Sequence, residues 1–159
     1  MRLFIAININ EKIRDALVLA QDALYSAGMK GNFTPAENLH LTLAFIGEYP
    51  DPQPVIEALE RVDFSPFEIR LQGFGNFGDL WWAGLQKSED LSDLARRIRR
   101  ELARAEIPYD RKKFSPHFTL LRRACGRRMP GLDLPHKSAA HAESRLSEGG
   151  LPLNQIENG

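Results

Sequence analysis

His40-Leu41-Thr42-Leu43 returns 77 positions later as His117-Phe118-Thr119-Leu120, each copy inside an apolar run with the composition of a β-strand. Side chains alternate between the two faces of a strand. His40 and Thr42 therefore share one face and Leu41 and Leu43 the other, and the second copy repeats the arrangement. Such a strand seats its leucines in a core and presents an imidazole with a hydroxyl about 6–7 Å further along. The chain has only four His and three Thr. Composition alone gives odds on the order of a few in 100,000 that two His are followed by Thr at +2 and Leu at +3. Coincidence is a poor explanation.

Outward from these strands the pattern is strand, helix, motif strand, twice over. Residues 1–8 alternate Leu3, Ile5 and Ile7 with Phe4 and Ala6, a buried strand. Asn10 is placed to cap a helix running to about Ala27, with Ile13, Leu17, Ala20 and Leu24 at helical spacing and Gly28 just past its end. Residues 38–46 form the first motif strand, closed by Gly47 and the Pro50-Asp51-Pro52 turn, and residues 54–62 a short helix. Residues 67–74 and 80–86 read as a hairpin about a Gly-rich turn. Ser88 caps a second long helix to about Ala105 with the stripe Leu91, Leu94, Ile98, Leu102, and residues 114–121 form the second motif strand. Helices set between antiparallel strands indicate an α+β fold. Residues 129–159 contain no Val, Phe, Tyr or Trp and have weak strand character; His136 and His141 in this stretch read as exposed bystanders.

At 159 residues, 43% hydrophobic and 26% charged, the composition is that of one globular domain spanning 1–159, and no fibrous or disordered class fits. No apolar stretch approaches the roughly 20 residues of a membrane span, and Leu3-Phe4-Ile5-Ala6-Ile7 is too short and too strand-like for a signal peptide. One cysteine, Cys125, forms no intrachain disulfide and reads as a buried or bystander thiol; a cytoplasmic monomer without membrane contact is expected. The formal net charge of zero conceals a basic second half: from Arg96 to Arg128 there are twelve basic and three acidic residues. Beside a phosphate site that field would draw in an anionic strand, although basic blocks are commonly just solvated faces.

Gly73-Phe74-Gly75-Asn76-Phe77-Gly78 matches the G-x-G-x-x-G pattern, yet a strand, Leu80-Trp81-Trp82-Ala83-Gly84-Leu85, follows where a dinucleotide site needs a helix. The match reads as a turn. Neither H-x-x-x-H nor C-x-x-C spacing occurs, so no metal and no cofactor are expected, and no G-x-S-x-G nucleophile elbow is present. Two imidazole–hydroxyl pairs remain. Imidazole titrates near neutrality, so one ring accepts a proton while the other donates one. Thr42 and Thr119 hydroxyls suit non-bridging phosphate oxygens, with a nearby Arg holding developing charge. Two histidines on opposite sides of a phosphorus serve attacking and leaving oxygens.

With both motifs quoted, the chain resembles the two-histidine (2H) phosphoesterases, and most closely the RNA 2′,3′-cyclic phosphodiesterases also called 2′-5′ RNA ligases. The likeness covers residues 1–123. Met1-Arg2-Leu3-Phe4-Ile5-Ala6-Ile7 looks like the family's opening strand. Asn38-Leu39-His40-Leu41-Thr42-Leu43-Ala44-Phe45-Ile46-Gly47 and Phe114-Ser115-Pro116-His117-Phe118-Thr119-Leu120-Leu121-Arg122 look like its two motifs, and residues 80–85 like the strand between them. The resemblance implies a bilobal fold whose two antiparallel sheets face across a V-shaped cleft, with helices outside. It implies hydrolysis of 2′,3′-cyclic phosphate RNA ends to 2′-phosphates, with His117 as general base and His40 as general acid. Phe45 and Arg122 are then placed to sandwich the terminal base; for Phe45 core packing is the competing reading. Joining of tRNA halves by a 2′-5′ bond, or RNA-end binding without turnover, are the alternative activities. Residues 142–150 are similar to a late family segment. The apolar strand leading into that segment is replaced by Ser138-Ala139-Ala140-His141, and the closing strand by residues 151–156, where Pro152 lacks a ladder donor.

Overall fold

A computed structural model describes residues 1–126 and, beyond them, two short strands at His141–Ala142 and Leu153–Gln155. Local signals set the helices. The Asn10 side chain accepts the Ile13 amide at 3.0 Å to open α1 (Glu11–Ser26), whose buried stripe is Ile13, Leu17, Ala20, Gln21 and Leu24. Ser88 Oγ accepts the Leu91 amide at 3.2 Å to open α3 (Glu89–Arg104), which buries Leu91, Leu94, Ile98 and Leu102. Between them lies α2 (Gln53–Glu60). Two polar side chains are buried among the described residues, Gln21 and Glu101. The Glu101 carboxylate is paired with Arg61 at 3.4 Å and Arg104 at 3.1 Å, which ties the end of α2 to α3.

The strands form two antiparallel sheets. One has the order β3-β1-β8, from β1 (Arg2–Ile7), β3 (Leu41–Glu48) and β8 (Leu153–Gln155). The other runs β2-β6-β5-β4-β7, from β2 (Lys30–Phe33), β4 (Ile69–Phe77), β5 (Leu80–Leu85), β6 (Phe118–Cys125) and β7 (His141–Ala142). Each sheet carries one motif. Leu3, Ile5, Ile7, Leu41, Leu43, Phe118, Leu120 and Leu121 are fully buried with the helical stripes in one apolar core. Burying such a side chain stabilises the fold by about 1.5–3 kcal/mol.

Two expectations are corrected, and strands stand where the sequence pattern marks none. The motif strands begin later than residues 38 and 114: a 3₁₀ turn over Ala36–Asn38 precedes His40, and Pro116, which has no amide to donate, precedes His117. Both histidines therefore stand one residue before their strands. The strand β2, composed of Lys-Gly-Asn-Phe, has no apolar alternation to announce it. Gly73 and Gly75 lie inside β4, and only Gly78 belongs to the turn. A Cβ at Gly75 would run into the Trp82 ring, so glycine is there to admit the indole of the neighbouring strand. Finally, despite Pro152, the chain supplies β8 as the edge partner of β1, with Leu3 opposite Gln155 and Ile5 opposite Leu153. The side chains of His136 and His141 lie outside the described residues.

Candidate active site

Each motif builds the same arrangement on its own sheet. His117 lies 2.8 Å through Nδ1 from the Ser115 carbonyl, which only accepts, so Nδ1 is the donor and Nε2 is the nitrogen left for other partners. His40 is likewise hydrogen-bonded to the backbone of Asn38, the residue two positions before it. In both copies the alternation predicted from sequence holds: His40 and Thr42 are half-buried while Leu41 and Leu43 are enclosed, and His117 and Thr119 are half-buried while Phe118 and Leu120 are enclosed.

Beyond the threonines the strands depart from simple alternation. Ala6 of β1 pairs with Thr42, but Ile5 pairs with Ala44, leaving Leu43 as an extra residue on β3. On the other sheet Trp82 pairs with Thr119 and Trp81 with Leu121, leaving Leu120 as an extra residue on β6. These are β-bulges, and each turns two successive apolar residues inward: Leu43 with Ala44, and Leu120 with Leu121. The following residue returns to the face of the threonine. Phe45, opposite Phe4, so joins Thr42, and Arg122, opposite Asn32 on β2, joins Thr119. Core packing of Phe45 is thereby excluded: its ring is 39% exposed, with the Arg2 guanidinium 5.5 Å from its centre. A separate irregularity lies where β6 meets β2, with Cys125 opposite Lys30 but Arg122 opposite Asn32, and there a Cβ at Gly31 would lie 2.7 Å from the Arg122 and Arg123 carbonyls.

The faces carrying the two motifs are electrostatically in touch. Burial lowers the pKa of His40; the hydrogen bond to Asn38 works against this, and the positive charge of Arg122, from the other sheet, adds to the lowering. The His40 ring stacks on Phe4, with centroids 4.7 Å apart and planes at 20°. The loop leading to His117 is lashed to the first motif, because the Asp110 amide donates to the Phe45 carbonyl at 2.7 Å. Arg99 holds that loop against α3, with its guanidinium 5.7 Å from the Tyr109 ring and 5.9 Å from the Phe114 ring and Nη1 donating to the Lys112 carbonyl at 2.8 Å. Arg111, Lys112 and Lys113 are exposed along it, which places part of the basic block beside the first motif.

Three contributors were not found from sequence. Gln21 Nε2 donates from α1 to the carbonyls of Thr34 at 2.8 Å and of the bulged Leu120 at 3.0 Å, and Thr34 Oγ1 donates to the Thr119 carbonyl at 2.9 Å. A signal for Gln21 existed: it lies four residues after Leu17 on an apolar stripe, and a buried amide requires partners. Phe77, at the tip of the β4–β5 hairpin, meets the His117 ring edge-on at 5.9 Å, and no local pattern announces that. Cys125, expected as a buried or bystander thiol, is exposed at the end of β6. Among the described residues no three His, Cys, Asp or Glu side chains gather as a metal site, and no helix is long and apolar enough to cross a membrane.

Each motif thus supplies an imidazole hydrogen-bonded to the backbone two residues before it, a hydroxyl on the same face and a bulge-directed side chain, the parts that a two-histidine phosphoesterase centre requires. The chain belongs to the 2′-5′ RNA ligase superfamily, whose sequence profile matches residues 13–146. It is 36% identical to an RNA 2′,3′-cyclic phosphodiesterase of Thermus thermophilus, in an alignment covering 99% of this chain and 88% of that one. A Thermotoga maritima protein of the same name is 32% identical over 130 residues, 76% of this chain and 68% of its own. Among solved structures, Escherichia coli LigT complexed with 3′-AMP superposes with a TM-score of 0.69 at 30% identity, covering 82% of this chain and 77% of that one.

Proposed function

We propose that the protein hydrolyses 2′,3′-cyclic phosphate ends of RNA to 2′-phosphates by two-histidine acid–base catalysis. The observation that carries the reading is the doubled arrangement of histidine, threonine and bulge-directed side chain, with Arg122 of one copy acting on the histidine of the other. His117 takes a proton from water at Nε2, the nitrogen left free by the Ser115 carbonyl. Water attacks phosphorus as the bond to O3′ breaks, and His40 protonates that oxygen. The depressed pKa of His40 makes its imidazolium a stronger acid, and the negative charge of a docked phosphodiester restores the proton that burial disfavours. Thr42 and Thr119 donate to the non-bridging oxygens, and Arg122 stabilises the charge that builds there.

The terminal base stacks between Phe45 and Arg122, which the two bulges bring to the motif faces. Exposed Arg111, Lys112 and Lys113 add a positive field that draws in the RNA. Incubating the protein with a 2′,3′-cyclic nucleotide in the presence of a chelator and identifying the product tests the reading. The 2′-phosphate isomer alone is expected; the 3′-phosphate, or no ring opening, overturns it.

A further inference from the structure

Phe77 has no part in the proposed hydrolysis, yet its ring is in contact with that of His117, the histidine proposed to activate the nucleophile. It ends β4 and is 54% exposed, an unusual position for a phenyl ring. One side leans on Trp82, with centroids 5.2 Å apart and planes at 36°, and its edge relation to His117 fixes it beside that imidazole. Trp82 is in turn the cross-strand partner of Thr119 and lies over Gly75, so Phe77 rests on a ledge continuous with the second motif. The position of Phe77 is therefore fixed while much of its ring stays open.

We propose that Phe77 is the stacking platform for a second nucleoside, the one whose 5′-hydroxyl takes the place of water. The inference rests on the proposed function, in which the nucleophile stands on the His117 side of phosphorus. A nucleoside entering with its 5′-oxygen at that place brings its base toward the surface next to His117, where Phe77 is 54% exposed. Stacking of this kind is indifferent to base identity. The 5′-oxygen bonds to phosphorus as the P–O3′ bond breaks, His117 takes the hydroxyl proton and His40 gives one to O3′. The product is a 2′-5′ phosphodiester with a free 3′-hydroxyl. In reverse, the 3′-oxygen attacks, the 5′-hydroxyl leaves, and the cyclic phosphate returns. No further reactant is consumed in either direction.

The test compares two substrates on each variant: a 2′,3′-cyclic mononucleotide, and a 2′-5′-linked dinucleotide cleaved back to cyclic phosphate and 5′-hydroxyl nucleoside. The readout is the ratio of kcat/KM for the dinucleotide to that for the mononucleotide, which cancels any effect passed through His117. Phe77→Ala should lower this ratio about tenfold or more. Phe77→Leu, which keeps apolar bulk without a π-face, should follow it, and Phe77→Tyr should hold the ratio within about twofold. An unchanged ratio in Phe77→Ala, or retention by Phe77→Leu, overturns the platform, as does a wild-type protein that opens the cyclic ring but leaves the dinucleotide intact. A wild-type protein inactive on the cyclic mononucleotide refutes instead the reaction on which the inference rests.

Discussion

Replacing Gln21 by Leu removes a buried amide that serves two carbonyls and leaves an apolar side chain of similar size. Thr34 loses its donor at 2.8 Å, while the bulged Leu120 carbonyl loses one at 3.0 Å and keeps the Thr34 amide at 3.0 Å. A buried acceptor left unpaired costs about 1–3 kcal/mol, and the weakened second acceptor somewhat less. The sum is about 2–4 kcal/mol, a sizeable share of the roughly 5–15 kcal/mol by which a domain is stable. With a urea dependence of about 2 kcal/mol per molar, the unfolding midpoint should fall by roughly 1–2 M. Gln21→Glu should be destabilised at least as much, since it turns a carboxylate toward the same two oxygens. Gln21 also fixes the bulge that returns Arg122 to the face of Thr119. Turnover of a 2′,3′-cyclic nucleotide by the folded Leu variant should thus drop about tenfold or more, as misplacement on the ångström scale costs up to about 100-fold. A stability change below about 0.5 kcal/mol would refute the bracing role. Lost stability with unaltered turnover would show that the bulge does not depend on it.

Other consequences are open to direct measurement. His40→Ala and His117→Ala should each lower kcat about 10²–10⁴-fold, and a substrate with sulfur in place of O3′, whose thiolate leaves unprotonated, should rescue only the His40 variant. Rescue of the His117 variant instead would reverse the acid and base roles. Thr42→Val should lower kcat/KM through the lost phosphate contact, and an unchanged value would remove Thr42 from the site. In an NMR titration the His40 ring should ionise below the ordinary imidazole range, and Arg122→Gln should move it upward; a downward move would contradict the electrostatic contact. Because the folded ring binds its proton less readily than the unfolded one, stability should be lost as pH falls from about 6.5 through the lowered pKa. That slope should flatten in His40→Ala, as denaturant unfolding at several pH values would reveal.

What a linear reading recovered and what it missed divide along a physical line. Helix caps at Asn10 and Ser88, their apolar stripes, and the inward leucines of the motifs all depend on neighbours within a turn or two of chain, so spacing alone discloses them. That each motif histidine shares a face with its threonine, opposite the enclosed residues between and after them, was legible for the same reason. Strand boundaries were less so, because the turn before His40 and the proline before His117 shift the onset of pairing without altering alternation.

The side on which Phe45 lies could not be settled within its own strand. Its face depends on Leu43 being skipped by β1, and that of Arg122 on Leu120 being skipped by β5, events set by registers between distant segments. The same is true of the influence of Arg122 on His40, the brace from Gln21 across ninety-nine positions, and the seat of Phe77 against His117. Local periodicity thus specified which groups the chain carries and the direction in which each strand presents them. Pairing between strands far apart in the chain decided which of those groups meet, because a single unpaired residue reverses the facing of everything after it.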